Sequence, residues 1–160
     1  MALTDTQLTT LGAAMMAETD PVFLARIPGD DMWVTQWVNT ETANDAWHNG
    51  CAKRELFEST NVTKFDNLTA GKRDAWKLML DNAPIDMTRQ PMRKAIIDIW
   101  GSVDSASVLQ SCLKKATRGE MYLGSSTVAT SNPTVSALKL NYQGAISLNE
   151  VSMALNKFRT

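Results

Sequence analysis

Residues 69–122 read TAGKRDAWKLMLDNAPIDMTRQPMRKAIIDIWGSVDSASVLQSCLKKATRGEMY, three helical patterns separated by APID and GSVD. Thr69, Thr88 and Asp104 each stand where a short side-chain oxygen can accept from an unpaired N–H of a first helical turn. The spacing predicts helices over 69–83, 88–101 and 104–122, packed as an antiparallel three-helix layer with connections of ordinary bundle length. Apolar residues recur at the helical period in each. Trp76, Met79, Leu80 and Ala83 form the first stripe, and Met92, Ile96, Ile99 and Trp100 the second. Leu109, Cys112, Leu113 and Ala116 form the third, while Lys94 and Asp98 are spaced as an exposed pair. Stripes of this kind bury, so they speak to fold rather than to function.

Upstream, TDTQLTTLGAAMMA (residues 4–17) opens with a capping box from Thr4 to Gln7 and sets Leu8, Leu11 and Met15 along one side. Pro21 ends or bends that helix. Asp31 is placed to cap MWVTQWVN, in which Trp33 and Trp37 lie four apart and share a face. NDAWHNGCAKRELFE, with Trp47, Cys51 and Phe57 inward and its middle weakened by Asn49 and Gly50, reads as a broken helix or as a helix followed by an extended STNVTKFDNL. Downstream, residues 124–134 (GSSTVATSNPT) have the small, polar makeup of a flexible loop. Leu138, Leu140 and Tyr142 then alternate with Lys139 and Asn141 as a strand does. Ser147 and Glu150 make a capping box for a last helix with Leu148, Val151, Leu155 and Phe158 on one stripe. The expected fold is mainly α, a small helical bundle with an extended C-terminal arm that carries a short strand or hairpin and a terminal helix. Its parts are an N-terminal helical segment (1–66), the central layer (67–123) and the arm (124–160), all within one domain.

A chain of 160 residues, 44% hydrophobic and 21% charged, is ordinary for a globular protein that folds without staples. No apolar run approaches the roughly 20 residues that span a bilayer, and the N-terminus lacks a signal peptide's basic region. The expectation is a protein made in a reducing cytoplasm, without membrane contact; Cys51 and Cys112 can pair, but cysteines far apart in a chain without an export signal are more often two buried thiols. A net charge of −1 argues against a dedicated nucleic-acid binder. The first 66 residues hold ten acids and four bases, and the remainder seven and twelve. Opposite signs at the two ends favour head-to-tail contact between copies, and solvated faces of a monomer account for them as well.

Constellations that would carry chemistry are sparse. His48 and Cys51 have helical ligand spacing, but a structural zinc site needs about four ligands and the other cysteine is Cys112. TAGKRD lacks the strand and glycines of a phosphate loop. Glu55 and Glu58 can be cast as a glycosidase pair, yet their spacing is that of a solvated helix face. The expectation is therefore no catalytic residue, no metal and no cofactor. Basic side chains gather in the central layer, where Lys114, Lys115 and Arg118 are placed to line a channel through which DNA passes without being gripped.

GKRDAWKLML, MRKAIIDIWG, KKATRGEMYLG and LNYQGAISLNEVSMAL, spread over about residues 64 to 155, resemble small head-and-neck proteins of tailed bacteriophages. Arg73, Trp76, Ile99, Trp100, Ala116, Thr117, Arg118, Glu120 and Gly144 carry the resemblance, and residues 31–58 depart from it. The resemblance implies a head-to-tail connector, or adaptor, located in the virion neck after synthesis in the host cytoplasm. Such proteins form a homo-oligomeric ring, commonly of twelve copies, below the portal protein, extend the DNA channel and meet the tail or a tail-completion protein. On that reading Leu138, Leu140, Tyr142, Leu148, Val151, Leu155 and Phe158 are the arm's interaction residues. The alternatives are a tail-completion or terminator protein and, behind these, a helical regulatory or lytic accessory protein.

Overall fold

A computed structural model describes residues 1–128 and 135–159. The chain begins with helices α1 (Asp5–Met16), α2 (Pro21–Arg26) and α3 (Asp31–Val38), then strand β1 (Glu41–Trp47). Helices α4 (Lys53–Glu58), α5 (Val62–Asp66), α6 (Ala70–Asp81) and α7 (Gln90–Ser111) follow. Strand β2 (Leu113–Thr117), helix α8 (Arg118–Tyr122), strands β3 (Ser125–Thr127) and β4 (Leu138–Leu140), and helix α9 (Leu148–Asn156) complete the order. The fold is mainly α with a small mixed sheet of strand order β2-β1-β4-β3, in which β1 and β4 are parallel with Ala46 opposite Leu138. Residues 129–134 of the expected flexible loop lie outside the described residues. Among the described residues no helix is long and apolar enough to cross a membrane.

Two compact units emerge, each assembled from separated stretches of chain. The first comprises Met1–Asn44, Lys115–Ser126 and Leu140–Thr160, and the second Asp45–Lys114 and Thr127–Lys139. This spatial division differs from a division by sequence position at 66 and 123, because β1 and β2 each run from one unit into the other.

In the first unit the Thr4–Gln7 capping box fixes the start of α1, and the expected stripe of Leu8, Leu11 and Met15 is buried. Its cover is α9, whose own box from Ser147 to Glu150 is also present and whose Val151, Ala154 and Leu155 are fully buried. A Cβ at Gly12 would come within 2.5 Å of both the Ala154 carbonyl and the Phe158 ring, so the close approach of α9 to α1 requires glycine there. The terminal helix is thus part of this unit's core rather than of an arm standing apart, since its apolar stripe meets a complementary stripe in its own chain. Asp30, one residue before Asp31, accepts from the Trp33 N–H and caps α3.

In the second unit, Trp76 and Leu80 of α6 and Ile96, Ile99 and Trp100 of α7 share a core with Trp47, Leu56, Met87 and Leu109. Thr69 caps α6 as its position predicts. The other two expected caps are differently engaged. The Thr88 hydroxyl donates to Asp86 at 2.5 Å, and α7 begins at Gln90 with Pro91 in its first turn, a position where a missing N–H costs nothing. Asp104 lies inside α7 and pairs with Lys64, while the break expected at GSVD is a kink at Gly101, whose φ of 82° favours glycine.

The third expected helix ends early. After Cys112 the segment LKKAT, made of good helix formers, is strand β2, because β1 offers it hydrogen bonds that override local preference. The His48 N–H donates to the Cys112 carbonyl at 3.0 Å and the Thr42 hydroxyl to the Ala116 carbonyl at 2.8 Å. The broken helix expected over 44–58 is likewise strand β1, an Asn49–Gly50 turn and the short α4. There Leu56 is buried in place of Phe57, which is 63% exposed. Residues 62–66, expected to be extended, form α5, capped by Asn61.

Candidate functional site

Two surfaces, one in each unit, bring chemistry-bearing side chains together. In the first unit, Asp20 caps α2 and α3 presents two indoles one turn apart. Trp33 and Trp37 stack with centroids 5.3 Å apart, and Phe23 lies 5.4 Å from Trp37. The Arg118 guanidinium sits 3.6 Å from the Trp37 ring and that of Arg26 5.8 Å from Trp33, so cations flank the aromatic pair. Trp37 Nε1 donates to the Tyr122 hydroxyl at 3.2 Å, which donates in turn to Glu18 at 2.7 Å. Burial and the Glu18 carboxylate push the Tyr122 hydroxyl up to about 12. At neutral pH it is a fixed donor, not a nucleophile.

Carboxylates of this unit are tuned the other way. The Tyr122 hydrogen bond holds Glu18 below its ordinary value, and the Arg159 guanidinium does the same for Asp31. For Glu150 burial pushes upward, and hydrogen bonds from the Ser147 and Leu3 backbone more than offset it. A carboxylate with a depressed folded pKa contributes stability above its unfolded pKa, and that contribution is lost as pH falls through the folded value. The first unit is therefore expected to lose stability as pH falls below about 4. Amide exchange followed down the pH scale checks this: protection in α1 and α9 that stays constant to pH 2 would contradict it.

In the second unit, α6, residues 82–86 and the first turns of α7 enclose a groove of about 500 Å³. Leu78, Met79, Ile85, Met92 and Ile99 supply its apolar lining, and Asn82, Asp86 and Arg89 its polar one. This volume suits a docked side chain or a small ligand. Leu78 is 65% exposed, so an apolar side chain of the lining faces solvent. Asp86 is occupied by Thr88, and Asn82 donates to the Leu78 carbonyl at 2.8 Å.

The residues expected to act are placed as follows. Val151 and Leu155 are fully buried, Leu140 is buried, and Leu138 and Phe158 are half-buried. Tyr142 donates to the Ala145 carbonyl at 3.2 Å. Leu148 is the one of the seven that faces out as a large apolar group, at 43% exposure. These placements correct the expectation of a free apolar stripe: most of it covers the chain's own cores. Of the expected channel residues, Lys115 is exposed, with its ammonium 3.4 Å from the Ala43 carbonyl, Lys114 is half-buried, and Arg118 is held over Trp37.

No family model, curated protein or solved structure matches this chain. His48 Nδ1 lies 3.7 Å from Glu55, and Glu58 is paired with Arg54 at 2.7 Å. Among the described residues no three His, Cys, Asp or Glu side chains are placed to hold a metal ion. The aromatic–guanidinium platform and the apolar groove were both missed by reasoning from sequence. The first was half-visible in the Trp33–Trp37 spacing, but its Arg118 and Tyr122 come from distant positions.

Proposed function

We propose that this chain acts by binding rather than by catalysis, as a head-to-tail connector of the tailed-phage neck whose copies form a ring beneath the portal protein. The observation that carries the reading is the apolar groove of the second unit with Leu78 exposed in its lining. Its occupant is a neighbouring copy. The first unit, with eight acidic and five basic residues, and the second, with nine and eleven, carry opposite net charges that suit head-to-tail contact. The resemblance over residues 64 to 155 supports the same role. Contacts in the ring are made by exposed apolar faces, with Leu148 the part of the former arm that takes part, and Lys115 faces the DNA that passes through the channel. The short strands give some weight to a tail-completion protein, and the helical majority favours the connector.

Sedimentation and native mass measurement, with and without portal protein, test this. The wild-type chain is expected to assemble, most simply as a dodecamer. Leu78→Asp is expected to remain monomeric and folded, with the circular dichroism of the native chain, since an exposed position costs little in folding. A wild-type chain that stays monomeric in the presence of portal protein, or a Leu78→Asp variant that assembles normally, would sink the proposal.

A further inference from the structure

Cys51 and Cys112 lie 61 residues apart in sequence, yet their sulfurs are 2.9 Å apart in the second core and both side chains are fully buried. Backbone hydrogen bonds bring them together. The Cys51 N–H donates to the Ile85 carbonyl at 2.8 Å, the Ile85 N–H returns to the Cys51 carbonyl at 2.9 Å, and the His48 N–H holds the Cys112 carbonyl at 3.0 Å. Both cysteines are free thiols. We propose that this pair is a latent cross-link that closes to an intramolecular disulfide when the protein meets a hydroperoxide, and that closure stabilises the second unit.

The reaction balances with one peroxide. One sulfur attacks a peroxide oxygen, so that an S–O bond forms, the O–O bond breaks and the leaving hydroxide takes up that thiol's proton as water. The second sulfur then attacks the sulfenic sulfur; the S–S bond forms, the S–O bond breaks and a second water leaves with the remaining thiol proton. Two electrons pass from the sulfurs to the peroxide. The surroundings make the pair slow and selective. Its hydrogen bond to Cys112, burial and the nearby Glu55 carboxylate all hold Cys51 as thiol, and full burial admits a small oxidant before a bulky one. Because the sulfurs already touch, the second step needs no rearrangement of the chain, and the sulfenic acid is captured before further oxidation. The closed loop contains α4, α5, α6 and all of α7. A constraint on so long a loop removes much unfolded-state freedom.

The test begins with the native chain, reduced and then treated with excess hydrogen peroxide. The expected product has no thiol alkylated in denaturant and yields a linked Cys51–Cys112 peptide that has lost the mass of two hydrogens and reverts with dithiothreitol. Its melting temperature is expected to rise by about 10 °C over the reduced form. Cys51→Ala is expected to lose that rise, and the native measurement stands by itself if the variant folds poorly. Two alkylatable thiols after treatment, a gain of oxygen on either cysteine instead of a loss of hydrogen, a link between copies, or equal melting of the two native forms would overturn the proposal.

Discussion

A chain truncated after Gln143 is expected to lose the first unit altogether. The deletion removes Ile146, Val151, Ala154 and Leu155, all buried with at most 1% exposure, from a core that they share with Leu8, Leu11, Met15 and Val38. The three larger side chains each contribute about 2 kcal/mol by burial, or roughly 6 kcal/mol together, before the bared faces of α1 and α3 are counted. Total stability of a domain is on the order of 5–15 kcal/mol, so little would remain for this unit. Polar anchors go with them. Asn39 accepts from the Ile146 N–H and donates to its carbonyl, both at 2.8 Å, Glu150 accepts from the Leu3 N–H at 2.8 Å, and Ser152 donates to Asp31 at 2.6 Å. Circular dichroism should show lost helix, and amide exchange should show α1 and α3 unprotected. A truncated chain that kept full protection in α1 would return α9 to the status of a detachable arm.

That expectation reverses what the isolated sequence suggests, and the reason is physical. A helical stripe announces that it must be covered but not by what. The stripes of α1, α6, α7 and α9 were all legible, as were the boxes at Thr4 and Ser147, because these signals lie within one or two turns of chain. The partner of α9 lies at the opposite end of the sequence and leaves no local trace. Strand β2 was misread for a related reason: Leu, Lys and Ala favour a helix, and only β1, far upstream, makes the extended form better. Glu120 of α8 shows the same limit. Its capping box with Thr117 is a local pattern, but its burial is explained by the Gly144 N–H that reaches its other oxygen at 2.8 Å. The Glu18–Tyr122–Trp37 chain of hydrogen bonds joins residues up to 104 apart, and no spacing rule would have collected them.

Trp76→Ala and Trp100→Ala are each expected to destabilise the second unit by about 3 to 5 kcal/mol. The two rings are 1% and 6% exposed and meet edge to face with centroids 5.3 Å apart, while Phe65 closes on Trp100 at 6.4 Å. Removing either indole opens a cavity that its partner ring lines, and a close-packed interior relaxes only partly into such a space. Because each ring loses the same contact, the double variant should cost less than the sum of the singles by about 0.5 to 1.5 kcal/mol. Trp76 also donates from Nε1 to the Thr60 hydroxyl at 3.2 Å. Trp76→Phe keeps most of the ring volume and gives up that donor, so it should cost less than Trp76→Ala, with about 1 kcal/mol of its loss due to the hydrogen bond. Urea titrations of the four variants, read by amide exchange in α6 and α7, measure these differences. Midpoints unchanged from the native chain would remove both tryptophans from the core, and strictly additive losses would mean that the edge-to-face pair contributes nothing beyond the burial of each ring.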